Sequence, residues 1–399
     1  MEKNKIKIAV IDDGIHMDLL QSLRNKNVNI TCLQVRNNTC ISQYINSPQA
    51  INHGTICTLV LLETLETMGI LDKIEVISIS VIDDKKQQNL QNLCEAIRWG
   101  MDHEVNLISL SIGTKEFMTA GRMIEISKKT ESNHTIIVAA GANDGSITYP
   151  ACLPFVIGVK ISDSVLEESI YPNPVDGIDI KAYVPELNVL KTLEQKFNYC
   201  LPATNSLLAP AVTAQVADIL IQEDKILGIK EIKELLVKKR HLKIITESYG
   251  EPPLTTLQGI KNKEEIQIPV IAMEYSLAHN EEIKRLARAL QQEFIKNEYS
   301  CACISDMISQ NCFEKNEFIL PKENIKEWLC YYAIFLNVSV IIVIADEAHI
   351  NSLLSSHLVD AVVSGKEKKS DCPSYYLKSA EIDIISPDLY RWAVKLFQE

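Results

Sequence analysis

The chain has 399 residues, 46% hydrophobic and 23% charged, and a net charge of −12 at neutral pH. At roughly 150 residues per domain, this length makes two domains or one large domain with an appendage, and the apolar content excludes disorder and fibrous repetition. The acidic balance, with no dense Lys/Arg face on any candidate helix, argues against a nucleic-acid binder, which needs basic surface to neutralise phosphates.

Short runs of Val, Ile, Ala and Leu alternate with amphipathic segments, the pattern of parallel strands covered by helices. Ile6–Ile11 reads as the first strand and meets Asp12 and Asp13 before an apolar stretch long enough for a signal peptide has formed. Then come a helix at Asn52–Thr67, a strand at Lys73–Val81, a helix at Gln87–Asp102, a strand at Leu107–Ile112 and a helix at Thr119–Thr130. Strands at Thr135–Ala140 and Phe155–Lys160 follow, then a helix from near Leu207 through Pro210–Gln222 and another at Lys230–Lys239. The segment SYGEPPL from Ser248, followed by polar LQGIKNKEEIQ, has the composition of a linker and sets a domain boundary near residue 250.

Beyond that boundary the alternation restarts: strand Ile268–Met273, helix Asn280–Asn297, strand Ser300–Ser305, helix Lys322–Phe335, strand Val338–Ile344 and a last helix near Pro387–Phe397. The reading is therefore an α/β domain over 1–250 and a smaller α/β domain over 251–399. The apolar run Ala333–Ala345 is broken by Asn337 and Ser339 and is shorter than the roughly 20 residues that span a bilayer, so no membrane partner is expected. The eleven cysteines are odd in number, scattered and never spaced as CxxC. That usage fits reduced thiols in the cytoplasm better than a disulfide framework or a zinc knuckle.

Four segments carry chemistry. Asp12 stands at the carboxyl end of the first strand, where open α/β sheets place their sites, although Asp-Gly after a strand is also ordinary turn chemistry. His53 opens a helix, with Gly54 allowing close backbone approach; with Asp12 it supplies a base and its orienting carboxylate. Ser206 lies at another helix start, beside unpaired N–H groups and the positive end of the dipole, where an N-cap serine is also common. Asn143 follows a buried strand between Gly141 and Gly145 and can aim its amide into a cleft as an oxyanion donor.

Taken together, these segments resemble those of a subtilisin-like serine peptidase, or subtilase, over about residues 5–225. VIDDGI, NHGTICTLV, LISLSIG, AAGANDG with YPA, and TNSLLAP are similar to the segments in which that family keeps its Asp, His, substrate-backing strand, oxyanion Asn and Ser. The resemblance implies a subtilisin-like parallel sheet with helices on both faces. It also implies that Ser206 is the nucleophile, His53 the general base, Asp12 the carboxylate fixing its tautomer, and Asn143 an oxyanion donor with the Ser206 N–H. Ser111, Ile112 and Gly113 would pair with an extended substrate by β-addition. Several positions depart from the family pattern: Asp13 for Ser or Thr, Thr58-Leu59 for Ala-Gly, Ala142 for Gly, Thr204-Asn205 for Gly-Thr, and Leu208 for Ala. None removes a catalytic atom. A β-branched residue at 204 is expected to alter the backbone path before the nucleophile.

The C-terminal unit has a layout loosely similar to P-loop-type, Rossmann-like nucleotide-binding folds. Met273–Glu282, however, has no Gly and no Gly-Lys pair to cradle phosphates. Asp346 and Glu347, after a buried run, read as turn residues, and no loop carries the Asp/Asn oxygens of a dedicated calcium site. No metal and no cofactor is expected.

The expected activity is that of an intracellular serine endopeptidase maturing a specific precursor peptide by leader removal. The C-terminal unit would dock the leader or a second copy of the chain. With no room for a pro-segment before the first strand, activity would be limited by specificity or a partner. The competing expectation is a degenerate subtilase that holds a peptide for another enzyme.

Overall fold

A computed structural model gives the architecture. It describes every residue except 1–4, 25–28, 37–38, 43–50, 83–89, 117–119, 163–167, 172–173, 175, 198–203, 224, 241, 245–267, 276–279, 310–311, 337, 366–371, 378–381 and 399. Contacts group the chain into two compact units, one of residues up to 246 without 116–118 and the other of 247–399 with 116–118. The linker at 248–267, the boundary near 250 and the loop expected to lack phosphate chemistry at 276–279 lie outside the described residues.

In chain order the first unit comprises β1 (Ile6–Asp12), α1 (Met17–Arg24), β2 (Ile30–Arg36), β3 (Thr39–Ser42), α2 (His53–Thr67), β4 (Ile74–Ser80), α3 (Leu90–Asp102), β5 (Leu107–Leu110), α4 (Ala120–Ser132) and β6 (Ile136–Ala140). It continues with β7 (Ile157–Ile161), β8 (Ser169–Ile170), β9 (Ile180–Ala182), α5 (Asn188–Phe197), α6 (Asn205–Glu223), α7 (Ile229–Arg240) and β10 (Lys243–Ile244). The strands form one sheet in the order β10-β8-β9-β7-β6-β5-β1-β4-β2-β3. Pairing is parallel except for β2 with β3 and β8 with β9.

β1 is buried from Ile8 to Asp12, as a strand covered on both faces must be. It lies between β4 and β5, so the chain fills one side of β1 before crossing to the other. Such a reversal opens a crevice beyond the carboxyl ends of the two strands. Asp12 and Ser111, the residues that end β1 and follow β5, are delivered there.

Two helices are apolar on nearly every side and are core elements rather than surface ones. In α2 every residue from Gly54 to Leu62 is buried, and α6 is buried from Asn205 to Ala214. They pack on each other, and α6 also packs on β5, β6 and β7. The starts of both helices are thereby fixed against the sheet.

The second unit comprises β11 (Val270–Tyr275), α8 (Asn280–Lys296), β12 (Cys301–Ser305), β13 (Glu317–Ile319), α9 (Ile325–Phe335), β14 (Val340–Asp346), α10 (Glu347–Ser355), β15 (Ala361–Ser364), β16 (Ser374–Tyr376) and α11 (Ile382–Gln398). Its sheet runs β13-β12-β14-β11-β15-β16 and is parallel throughout. α8 turns Ile283, Leu286, Ala287, Leu290 and Phe294 inward, a helical stripe that buries against the sheet, and it packs beside α11. Among the described residues no helix is long and apolar enough to cross a membrane.

Candidate active site

Asp12 is 2% exposed, and its carboxylate is fully engaged. Oδ1 accepts the Asp13 N–H at 2.8 Å. Oδ2 accepts from His53 Nδ1 at 2.8 Å and from the Ser111 hydroxyl. An ionised carboxylate only accepts, so Nδ1 carries the proton and Nε2 presents its lone pair. Nε2 lies 2.9 Å from Ser206 Oγ. Asp12, His53 and Ser206 thus form one continuous hydrogen-bonded line.

The start of α2 is capped from across the chain. Asn52, at the N-cap position, makes no side-chain cap bond. Asp13 does so instead: Oδ2 accepts the His53 N–H at 3.1 Å and Oδ1 the Gly54 N–H at 2.6 Å. A carboxylate suits a helix N-terminus, where N–H groups lack partners and the dipole is positive. Asn52 Nδ2 donates to the Gly14 carbonyl at 2.8 Å, and a Cβ at position 54 would strike that same carbonyl. The turn after β1 and the first turn of α2 are therefore locked together, which holds the Asp12–His53 distance.

Charges and burial compete at this site. Burial pulls the His53 imidazolium toward lower pKa, but the hydrogen bond and charge of Asp12, with the charge of Asp13, outweigh it and hold His53 above its ordinary value. Burial and the neighbouring Asp12 charge push the Asp13 carboxyl up, against the pull of its two backbone N–H donors.

Ser206 is the second residue of α6 and 8% exposed. Pro210 has no N–H, so the Ser206 carbonyl loses its usual helical donor. The fully buried Cys57 fills that place: Sγ lies 3.6 Å from the Ser206 carbonyl and 3.7 Å from His53 Nδ1. Burial, then the Asp12 charge, drive the Cys57 thiol well above its ordinary pKa, so it remains a packed, protonated donor. Thr204 Oγ1 sits 2.8 Å from Ser206 Oγ.

Asn143 follows β6 and lines the cleft with Ser206. Its Oδ1 accepts the Asn205 N–H at 2.9 Å, so the amide oxygen is the anchored end and the N–H donors are not used in that bond. Asn205 ties the loop to the helix. Its Nδ2 donates to the Gly141 and Ala142 carbonyls at 3.1 and 3.0 Å, and its Oδ1 accepts the Ile161 N–H at 2.8 Å. Ala142 does not adopt the left-handed backbone that glycine favours. The Thr204 side chain, where the family pattern has glycine, gains a hydroxyl contact with Ser206.

Ser111, Ile112 and Gly113 line a cleft of about 670 Å³ together with the three residues of the hydrogen-bonded line. The side chain of Ser111 is turned into the site, and its hydroxyl donates to Asp12. Thr114 and Tyr149 exchange backbone bonds of 2.9 and 2.8 Å, and a Cβ on Gly113 would come within 2.5 Å of the Tyr149 carbonyl. Glycine is required at that close approach. The Lys115–Asp144 ion pair also borders the cleft. Slight burial opposes ionisation of Asp144, but the Lys115 bond and two bonds from Ser146 prevail and lower its pKa to about 2. Sequence reasoning placed Asp13, Thr204 and Asn205 only as departures and passed over Cys57. The signal for the first three was their presence at motif positions where smaller or uncharged residues are usual.

The subtilase family model matches residues 3–262. The minor extracellular protease Epr of Bacillus subtilis (strain 168) is 24% identical over 159 residues, 39% of this chain and 24% of that protein, so the chain spans about a quarter of the length of the curated relative it matches. Among solved structures, a lanthipeptide protease is similar at 18% identity over 58% of this chain and 79% of its own, with a TM-score of 0.42. The epidermin leader peptide processing serine protease EpiP of Staphylococcus aureus is similar at 17% identity over 63% and 73%, also with a TM-score of 0.42.

Proposed function

The chain belongs to the subtilase family, and from that premise we propose that it is a serine endopeptidase. His53 Nε2 takes the Ser206 proton as Oγ attacks the scissile carbonyl carbon. The resulting imidazolium is stabilised by Asp12 and returns the proton to the leaving amine. Water then enters by the same route to release the acyl group. Asn143 Nδ2 and the Ser206 N–H at the start of α6 stabilise the tetrahedral oxyanion. The observation that carries this reading is the unbroken line Asp12 Oδ2–His53 Nδ1 at 2.8 Å and His53 Nε2–Ser206 Oγ at 2.9 Å.

The substrate is an extended peptide laid along Ser111-Ile112-Gly113, and the physiological reaction is removal of a leader from a specific precursor. The charged cleft border formed by Lys115 and Asp144 supports selective recognition. The buried thiols at Cys57, Cys94, Cys152, Cys301 and Cys303 support an intracellular setting. In this proposal residues 1–250 supply the chemistry and residues 251–399 recruit the precursor.

The test is active-site labelling with a fluorophosphonate. Wild type is expected to be labelled and Ser206→Ala not. Equal labelling of both would overturn Ser206 as the nucleophile, and a folded wild type that neither labels nor cleaves peptides would make the chain a peptide-binding member of the family.

A further inference from the structure

The second unit brings a further cluster of reactive side chains to one end of its sheet. β14 pairs with β11 in a register that sets Asp346 opposite Tyr275, and with β12 so that Ser305 faces Ile344. The Asp306 N–H donates to the Ile344 carbonyl at 3.3 Å, so Asp306 leaves its strand at the level where Asp346 and Tyr275 end theirs. α10 starts at once, and Asp346 Oδ1 caps it by accepting the His349 N–H at 2.9 Å. That turn folds the imidazole back over the strand ends. His349 Nδ1 then lies 3.2 Å from Asp306 Oδ2 and 3.1 Å from Asp346 Oδ1.

One donor atom from each of Asp306, Asp346 and His349 falls within 4.8 Å of the others. The Asp306 side chain is 0% exposed, yet its Oδ1 has no hydrogen-bond partner. The Tyr275 phenol lies within hydrogen-bonding range of the Asp306 carboxyl and Lys322 near enough to feel its charge, while Oδ1 itself makes no bond of normal geometry. A buried carboxylate oxygen left without a partner is costly and calls for a cation or water not bound by the protein's own groups. A proton on His349 meets Oδ2 and leaves Oδ1 as it is.

We propose that Asp306, Asp346 and His349 form a binding site for a divalent transition-metal ion, with zinc the best match. The Nδ1-to-oxygen spacings of 3.2 and 3.1 Å are those of neighbouring ligands around an ion with bonds of roughly 2.0–2.2 Å. An imidazole with two carboxylates suits zinc or manganese, whereas magnesium and calcium take oxygen ligands almost exclusively. Three protein ligands leave coordination positions open to water or a ligand group. The sequence reading took Asp346 as a turn residue and expected no metal. It could not see that Asp306 is folded against it.

The experiment uses the full chain, stripped with a chelator and titrated with Zn²⁺, with Mn²⁺ and Mg²⁺ for comparison. It reads bound metal per chain, dissociation constant and thermal midpoint. Wild type is expected to bind Zn²⁺ more tightly than Mg²⁺ and to melt higher with it. Asp306→Asn and His349→Gln should each weaken Zn²⁺ binding by more than about tenfold, while labelling of Ser206 stays unchanged. Metal-free melting reports whether each variant folds; if Asp306→Asn does not, His349→Gln decides. Absence of Zn²⁺ binding to wild type would overturn the proposal. So would binding that survives His349→Gln, above all if it blocks Ser206 labelling, which would put the ion on Asp12, His53 and Cys57.

Discussion

Each unit brings an aspartate and a histidine together at the carboxyl ends of parallel strands, but the two pairs are finished differently. In the first unit every Asp12 oxygen has a donor, and the imidazole turns its second nitrogen to Ser206. The extra carboxylate there, Asp13, is spent on the backbone N–H groups that open α2. In the second unit the extra carboxylate, Asp346, faces the imidazole itself, and Asp306 Oδ1 stays unmet. Among the described residues no hydroxyl or thiol is bonded to His349 as Ser206 is to His53. The chemistry is thus set less by the Asp–His pair than by what the second carboxylate and the far ring nitrogen touch.

The sharpest way to break this contrast is to remove the hydroxyl that faces the far nitrogen of His53. Ser206→Ala should lower peptide turnover by on the order of 10⁶, the loss known for the corresponding change in subtilisin itself. His349→Gln should leave turnover within about twofold, because its ring is bonded only to carboxylates. A comparable loss in both variants would mean that the two clusters share one function. Next in size, Asn143→Ala should cost roughly 10²–10³ in kcat through lost oxyanion stabilisation. An effect below about threefold would remove Asn143 from that role.

A finer comparison sets two buried amides against each other. Asn205 joins Gly141, Ala142 and Ile161, and Gln291 in the second unit bridges the Cys301 and Asn316 carbonyls, both at 3.1 Å. Replacing either by Ala strands backbone groups and should cost about 1–3 kcal/mol in urea unfolding. Asn205→Ala alone should also slow fluorophosphonate labelling, since it loosens the loop that carries Asn143. Equal labelling rates in the two variants would reduce Asn205 to a purely structural role.

Much of this was legible in the sequence, for identifiable reasons. Long covered strands such as Ile6–Asp12 and Ile136–Ala140 read as apolar runs, and α8 reads as a helical stripe. β8, β9 and β10 have two or three residues each, too few to show a period, and in β2 Thr31, Cys32 and Gln34 interrupt the apolar pattern. In the site, Asp12, His53 and Ser206 announce themselves by residue type and local context. Asp13 and Asn205 act through partners as distant in sequence as His53 and Gly141, which a linear reading cannot supply. The same holds for Asp306 and His349, brought together by strand order rather than by spacing.

The smallest effect is the most specific to the first unit. His53 is useful as a base only when neutral, so the rate should fall as pH drops through its raised pKa. Asp13→Asn keeps an amide oxygen for the start of α2 but removes one of the negative charges that favour the imidazolium. The His53 pKa then moves down, the neutral base persists to lower pH, and the acid limb of the pH–rate profile shifts toward acid while the plateau changes little. Stability carries the same sign. A raised folded-state pKa contributes stability that is fully present below the unfolded value of about 6.5 and is lost as pH rises through the folded value. Asp13→Asn should shrink that contribution, so stability should fall less steeply as pH rises from about 6.5 through the folded value. An acid limb that stays in place or moves to higher pH would mean that the Asp13 charge is spent wholly on the backbone of α2 and does not reach the ring.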